Sequence, residues 1–323
     1  MGLALVQSPL FFVFIWYFTC EVVPLRVEFL FFLLYGMKKC ILDLVVKSIS
    51  QPRPGYVVLQ LTDPTGPLPE MRPGQFVEVR VDGSPSTFLR RPISINFVDR
   101  EANELWLLVH VVGAGTRTLA RLEAGAVVNV VLPLGRGFSL PEKATSRKNR
   151  EAQDGNSGAR DGGRYLLVGG GVGTAPLLYL GQELVARGGR PSFLLGGRTA
   201  DDLMQLDLFR RFGDVYLTTE DGSAGERGFV TQHSLWNSVA VSEDISEGTA
   251  LPAFDLICTC GPKPMMMAVA RLAREKGIPC EASLENLMAC GLGACLCCVE
   301  DTTDGNVCVC KEGPVFSTDK LKW

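Results

Sequence analysis

Arg164-Tyr-Leu-Leu-Val168-Gly-Gly-Gly-Val-Gly173-Thr-Ala-Pro176 decides the fold of this chain. A short apolar run with β-branched character ends in a glycine-rich turn, and an apolar segment of helical length follows it. That is the entry into a parallel α/β sheet. The strand Arg164–Val168 and the helix Thr174–Arg187 are followed by the strand Pro191–Leu195 and the helix Asp201–Phe212. The strand Asp214–Thr218, a helix near Phe229–Val239, the strand Phe254–Thr259 and the helix Lys263–Lys276 continue the alternation, with Val241–Ala253 as an inserted loop. The rhythm predicts a doubly wound sheet. Its first turn lets backbone approach a pyrophosphate, and Thr174 is placed to cap the helix behind it. Pro176 stands where G-x-G-x-x-G has its last glycine, and Gly196-Gly197-Arg198 stands where an acidic strand end is usual, so the turn alone is weak evidence for a nucleotide.

Upstream the pattern is different. Cys40–Ser48, Tyr56–Leu61, Gln75–Val81, Ile93–Val98, Glu104–Val112 and Ala126–Leu132 are short strands broken at Pro64, Gly66, Pro67, Pro73-Gly74 and Asp82-Gly83, with one short helix over Thr116–Leu122. This spacing predicts a small antiparallel barrel. Gly113-Ala-Gly115-Thr116 leads into the short helix and offers a second phosphate position. Arg90-Arg91-Pro92-Ile93-Ser94 puts cations, a rigid proline and a hydroxyl on one strand; the plainer reading of the arginines is a solvated barrel edge.

Downstream, Cys290-Gly-Leu-Gly-Ala-Cys295-Leu-Cys-Cys298 has the C-x4-C-x2-C spacing of plant-type [2Fe–2S] centres. Gly291 and Gly293 allow a tight loop to aim N–H groups at sulfur. Only Cys298, not Cys297, fits the second gap, while Cys308 and Cys310 share a face of an extended segment and periodicity does not choose between them. A structural zinc site would show two short cysteine pairs. Eleven cysteines and this spacing argue against a disulfide framework. A single cluster moves one electron at a time, so the chain is one part of an electron relay.

The chain has 323 residues, a formal net charge of -3 and two histidines, His110 and His233. The length suits two or three domains. The charge gives no footprint for nucleic acid, and the scarcity of histidine argues against a Ser-His-Asp hydrolase. Leu10–Cys20 and Phe29–Tyr35 are apolar but are separated by Glu21, Pro24, Arg26 and Glu28, too short to span a bilayer. Met1–Pro9 lacks the basic residues of a secretory signal. We expect Met37 to be the biological start and residues 1–36 to be an extension from an early start codon, with a peripheral membrane anchor as the alternative. Glu142–Gly163 is polar and reads as a flexible linker.

Together these motifs resemble the ferredoxin–NADP reductase superfamily, and within it the electron-transfer subunits of class 1B, NAD-dependent dihydroorotate dehydrogenases. Ser283-Leu-Glu-Asn-Leu-Met288-Ala-Cys290 and Val309-Cys310-Lys-Glu-Gly313-Pro-Val-Phe316 carry the narrower likeness, which covers Met37 to the C-terminus. It implies an extension (1–36), an FAD-binding barrel (37–141), a linker (142–163), an NAD-binding α/β domain (164–280) and a [2Fe–2S] domain (281–323). It further implies that Arg91, Pro92, Ile93 and Ser94 line FAD, that Leu108, Val109 and His110 touch it, and that Gly115 and Thr116 take its pyrophosphate. Gly171, Gly173 and Thr174 would take NAD, with Asp221-Gly-Ser223 and Cys260-Gly-Pro262 along the same cleft. Cys290, Cys295, Cys298 and Cys310 would hold the cluster. Nicotinamide exchanges a hydride and the cluster single electrons; flavin does both, so FAD is expected between them. The resemblance implies a cytoplasmic heterotetramer in pyrimidine biosynthesis, in which an FMN-containing catalytic subunit holds the dihydroorotate site. Two rivals remain: a flavin/iron–sulfur subunit of an NAD(P)H–ferredoxin or sulfide-type oxidoreductase, whose members often carry aspartate where Cys290 stands, and a non-catalytic zinc-bearing interaction protein.

Overall fold

The computed structural model describes residues 39–142, 162–238 and 254–323. The expected extension, nearly all of the linker and the Val241–Ala253 loop lie outside them.

The barrel is closed. Its strands are β1 (Cys40–Arg53), β2 (Tyr56–Thr62), β3 (Phe76–Val79), β4 (Arg91–Asp99), β5 (Glu104–His110) and β6 (Val127–Leu134), with helix α1 (Ala114–Leu119) between the last two. They run in the order β1-β2-β5-β4-β3-β6, and all pairings are antiparallel. Alternate residues such as Leu44, Leu59, Val77, Ile95, Leu107 and Val130 fill the interior, as the period of two requires. β1 runs on to Arg53, five residues beyond the expected end, because it forms a hairpin with β2 in which Arg53 faces Tyr56 and Gly55 takes φ 82 in the turn. β5 stops at His110 rather than Val112. There the N–H groups of Val112 and Gly113 turn away to the Thr116 hydroxyl and start α1.

The second layer is a sheet of seven strands in the order Glu226–Arg227, Asp214–Thr219, Arg190–Gly197, Arg164–Gly170, Leu256–Cys260, Cys280–Ser283 and Val315–Ser317. β7 (Arg164–Gly170), α2 (Ala175–Ala186), β8 (Arg190–Gly197), α3 (Leu206–Arg210), β9 (Asp214–Thr219), β10 (Glu226–Arg227), β11 (Leu256–Cys260), α4 (Lys263–Glu275) and β12 (Cys280–Ser283) follow in chain order. Those strands pair in parallel. On β7, Leu167 packs toward α2 while Leu166 and Val168 pack toward α4, so helices cover both faces as expected.

Two expected helices are corrected. Asp201–Phe212 is a 3-10 turn (Ala200–Asp202) followed by the short α3, because Gln205 sits at φ 57, held by paired amide bonds with Asn96. In place of the helix expected near Phe229–Val239, the described residues form two 3-10 turns, Val230–Gln232 and Ser234–Ser238. His233 Nδ1 accepts the Leu235 N–H and the Trp236 indole donates to the Val230 carbonyl, side-chain bonds that compete with a regular helix.

The cysteine-bearing tail contains β13 (Val299–Thr302), β14 (Gly305–Cys308), α5 (Val309–Glu312) and β15 (Val315–Ser317). β15 returns antiparallel to β12 at the sheet edge, so the tail begins and ends on the sheet. The expected boundary at 280/281 falls inside β12.

Candidate cofactor sites

β7 pairs with β8 on one side and β11 on the other. This is the point where strand order reverses, and open α/β sheets bind ligands in the crevice beyond it. A cavity of about 660 Å³ lies there, lined by the turn Gly170–Gly173, by Gly196–Arg198 and by Gly261 and Pro262. Gly171 has φ 58. A side chain on Gly173 would place its Cβ 2.4 Å from the Gly261 Cα, so two backbones meet with no room for one.

Thr174 and Cys260 do not line this cavity. The Thr174 hydroxyl donates to the Gly171 carbonyl at 3.0 Å and makes no cap bond to the helix. It ties the turn rather than reaching a ligand. Cys260 is buried under the turn, and burial drives its thiol well above the ordinary range. Asp221 is also turned aside, accepting the backbone N–H and hydroxyl of Ser223, while neighbouring Glu220 faces the cavity.

A second cavity of about 230 Å³ opens between barrel and sheet. Arg91, Pro92, Ile93 and Ser94 of β4 line it, as do Leu108, Val109 and His110 of β5 and Thr116 of α1. Gly115 packs beneath Arg91: a Cβ there would come within 2.8 Å of Arg91 Nε. The Thr116 hydroxyl also accepts the N–H groups of Val112 and Gly113, both at 3.0 Å. Val172, His110 and Glu285 line both cavities, so these three mark where the two spaces meet. Burial pushes the Glu285 carboxyl up and the His110 imidazole down.

Sequence reasoning assigned no role to Leu284, Asn286 and Met288, which line the second cavity two to six residues before Cys290. Their signal was the Ser283–Met288 run itself. Nor did it assign a role to Glu78, 1% exposed, whose carboxylate oxygens have no hydrogen-bond partner. Gly291 lies directly over it, since a Cβ there would sit 2.8 Å from Glu78 Cγ. Burial, opposed by Arg90 and reinforced by Cys290, pushes the carboxyl from 4.5 up to about 7.

The cysteine loop is built for a sulfur-rich centre. Gly291, Gly293 and Leu296 take φ 64, 83 and 58. These left-handed positions fold the loop back and expose its amides. The Leu292 N–H points at Cys290 Sγ (3.4 Å), Gly293 at Cys310 Sγ (3.1 Å) and Cys310 at Cys298 Sγ (3.4 Å). Burial raises the Cys290 thiol, but the N–H groups of Leu292, Cys295 and Ala294 outweigh it and bring the thiol to about 6. Burial pushes Cys310 up to about 12, with Cys298 and Cys290 adding to the rise. Cys308 turns its thiol to the Gly293 carbonyl at 3.8 Å, whereas Cys310 receives the Gly293 amide. Among the described residues no three Cys, His, Asp or Glu side chains converge on a single ion position. The thiols of Cys290, Cys298 and Cys310, each with a backbone amide aimed at it, fit an iron–sulfur core. No helix among the described residues is long and apolar enough to cross a membrane.

Comparison with known proteins bears on the same regions. The family model for the iron–sulfur cluster binding domain of dihydroorotate dehydrogenase B matches residues 285–322. The dihydroorotate dehydrogenase B (NAD(+)) electron transfer subunit of Shouchella clausii is 39% identical over 254 residues, 77% of this chain and 86% of the relative. That of Lysinibacillus sphaericus is 36% identical over 275 residues, 84% and 95%. Among solved structures, an NADH-dependent reduced ferredoxin-NADP oxidoreductase studied for flavin-based electron bifurcation superposes with TM-score 0.69 at 28% identity, covering 87% of this chain and 90% of that one. The ferredoxin reductase of carbazole 1,9a-dioxygenase shares the fold at TM-score 0.56 and 18% identity, over 76% and 68%.

Proposed function

The chain belongs to the family of dihydroorotate dehydrogenase B electron transfer subunits, and from that premise we propose that it carries electrons from dihydroorotate, oxidised on an FMN-bearing partner subunit, to NAD+. One observation carries the reading: Leu284, Glu285, Asn286 and Met288 line the cavity assigned to FAD, and the same segment then delivers Cys290. The two redox sites are thus joined by a few residues of one strand exit. When bound, FAD exchanges a hydride with nicotinamide and single electrons with a [2Fe–2S] cluster.

The chain's own groups hold and separate these partners. Arg91 and Thr116 would face the FAD phosphates, with Ser94, Leu108, Val109 and His110 along its ring and Gly115 giving Arg91 room. Gly171 and Gly173 would admit the NAD pyrophosphate at the switch point, with Thr174 and Cys260 shaping the turn from behind. Cys290, Cys295, Cys298 and Cys310 would ligate the cluster. In the stretch of chain that carries Cys290 and Cys295, Leu287, Leu292 and Leu296 are 84%, 51% and 64% exposed, apolar side chains suited to contact with the catalytic subunit. A heterotetramer in the cytoplasm, serving pyrimidine biosynthesis, completes the proposal. The test is purification with the catalytic subunit and assay of dihydroorotate-dependent NAD+ reduction. Activity that persists when this chain is omitted would overturn it.

A further inference from the structure

The nucleotide cleft has walls from two layers, the barrel and the sheet, and one side-chain ladder crosses between them. The His110 ring lies parallel to the Tyr56 ring, with centroids 4.3 Å apart and an interplanar angle of 2°. The two residues face each other in the β2–β5 register. The Arg53 guanidinium sits over the Tyr56 ring at 5.1 Å and forms an ion pair with Asp202. Asp202 belongs to the turn after β8, where its other oxygen accepts the N–H groups of Arg198 and Thr199 at 2.9 and 3.1 Å. The ladder therefore runs His110–Tyr56–Arg53–Asp202, from the wall of the FAD cavity to the sheet side of the nucleotide cleft.

Interface packing alone does not account for it. Packing residues would be sealed away from ligand space, yet Tyr56, His110 and Asp202 all line the nucleotide cleft. The two layers are also fastened elsewhere. α2 packs on β4, Tyr179 donates to the Met71 carbonyl at 2.8 Å, and the Asn96 amide donates to the Ala175 carbonyl at 3.0 Å. None of Tyr179, Met71, Asn96 and Ala175 lines the cleft, whereas three of the ladder's four residues do. Each rung is of a kind that adds orientation as well as attraction: parallel rings, a cation over a ring face and a charged pair.

We infer that Arg53, Tyr56 and Asp202 are positioning residues which set His110, and with it the width of the cleft, against the bound nicotinamide dinucleotide. The inference rests on the proposed function, since it needs a flavin and a nicotinamide on either side of His110. Hydride transfer requires reacting atoms about 3–3.5 Å apart, and a displacement of about 1 Å can slow a reaction on the order of 100-fold. A ladder that loses one rung loosens the cleft by less than that, so the expected effect is roughly tenfold.

The test uses the full chain carrying flavin, as Arg53→Gln, Asp202→Asn and the double variant. The rate of flavin bleaching by saturating NADH is measured in a single anaerobic turnover, with NAD+ affinity measured separately at equilibrium. Each single variant is expected to bleach about tenfold more slowly, and the double no more slowly than the worse single. A second readout is independent of turnover. With only two histidines in the chain, the His110 ring resonances can be followed by NMR in the oxidised, flavin-loaded chain. Asp202→Asn should move them although Asp202 sits three rungs away. Unchanged bleaching rates, losses that multiply in the double variant, His110 resonances that ignore Asp202, or loss of flavin in step with rate would each overturn the ladder. A wild-type chain that NADH does not bleach would instead sink the proposed function.

Discussion

Replacing Glu78 with Gln should make the protein more stable, and increasingly so as pH rises. Glu78 is 1% exposed, its two oxygens lack hydrogen-bond partners, and Gly291 closes over it. Its carboxyl is pushed from 4.5 to about 7, chiefly by burial. The folded state therefore binds this proton more tightly than the unfolded chain does. Below the unfolded value both states are protonated and nothing is lost. Between pH 4.5 and 7 the folded state must keep the proton or bury an anion, so stability falls as pH rises, and the loss is complete above the folded value. At about 1.4 kcal/mol per pH unit the rise corresponds to about 3 kcal/mol at pH 8, with less than about 1 kcal/mol accrued at pH 5. Gln has the same shape and never ionises, and its unpaired amide resembles the unpaired neutral acid. Urea denaturation of both proteins at pH 5 and pH 8 gives the comparison. The variant should gain about 2–3 kcal/mol relative to wild type between those two conditions. A stability difference that stays the same at both values would refute the reasoning.

Three further outcomes are expected. Gly173→Ala drives a Cβ to 2.4 Å from Gly261 Cα, so it should lower stability by about 1–3 kcal/mol and weaken NADH binding at least about tenfold; Gly171→Ala, in open space at φ 58, should lose only about 1–2 kcal/mol. Titration calorimetry and thermal melts check both. Serine at Cys290, Cys295, Cys298 or Cys310 should abolish cluster absorption and bound iron, whereas Cys308→Ser and Cys297→Ser should retain both. Tyr179→Phe removes the buried donor to the Met71 carbonyl and should lower stability by about 1–3 kcal/mol in denaturant titration.

The barrel and the alternating sheet were legible because each strand carries its own pattern, alternating in the barrel and continuously apolar in β7 and β11, with glycine and proline at the ends. The cysteine spacing was legible for the same reason: it is local. What the sequence hid is what depends on distant partners. Gln205 lies in an ordinary helical pattern, and only the Asn96 amide from the barrel holds it at a left-handed angle. Glu78 reads as one polar residue on a strand, and its isolation exists only once Gly291 is folded over it. Thr174 looks like a cap in sequence and instead ties the turn at Gly171. The Tyr56–His110 stack requires the β2–β5 register, which no pattern within either strand states. Cys308 and Cys310 share a period, and the loop amide of Gly293 separates them.

On the proposed function, one chain joins a nicotinamide site, a flavin site and a binuclear iron site in electronic contact. Anaerobic addition of NADH to the purified flavin- and iron-loaded chain, followed by paramagnetic resonance at low temperature, tests it most directly. NADH is expected to bleach the flavin and bring up the signal of a reduced [2Fe–2S] centre in the same sample. Bleaching of the flavin with the iron left silent, in protein whose iron a chemical reductant does reduce, would contradict it.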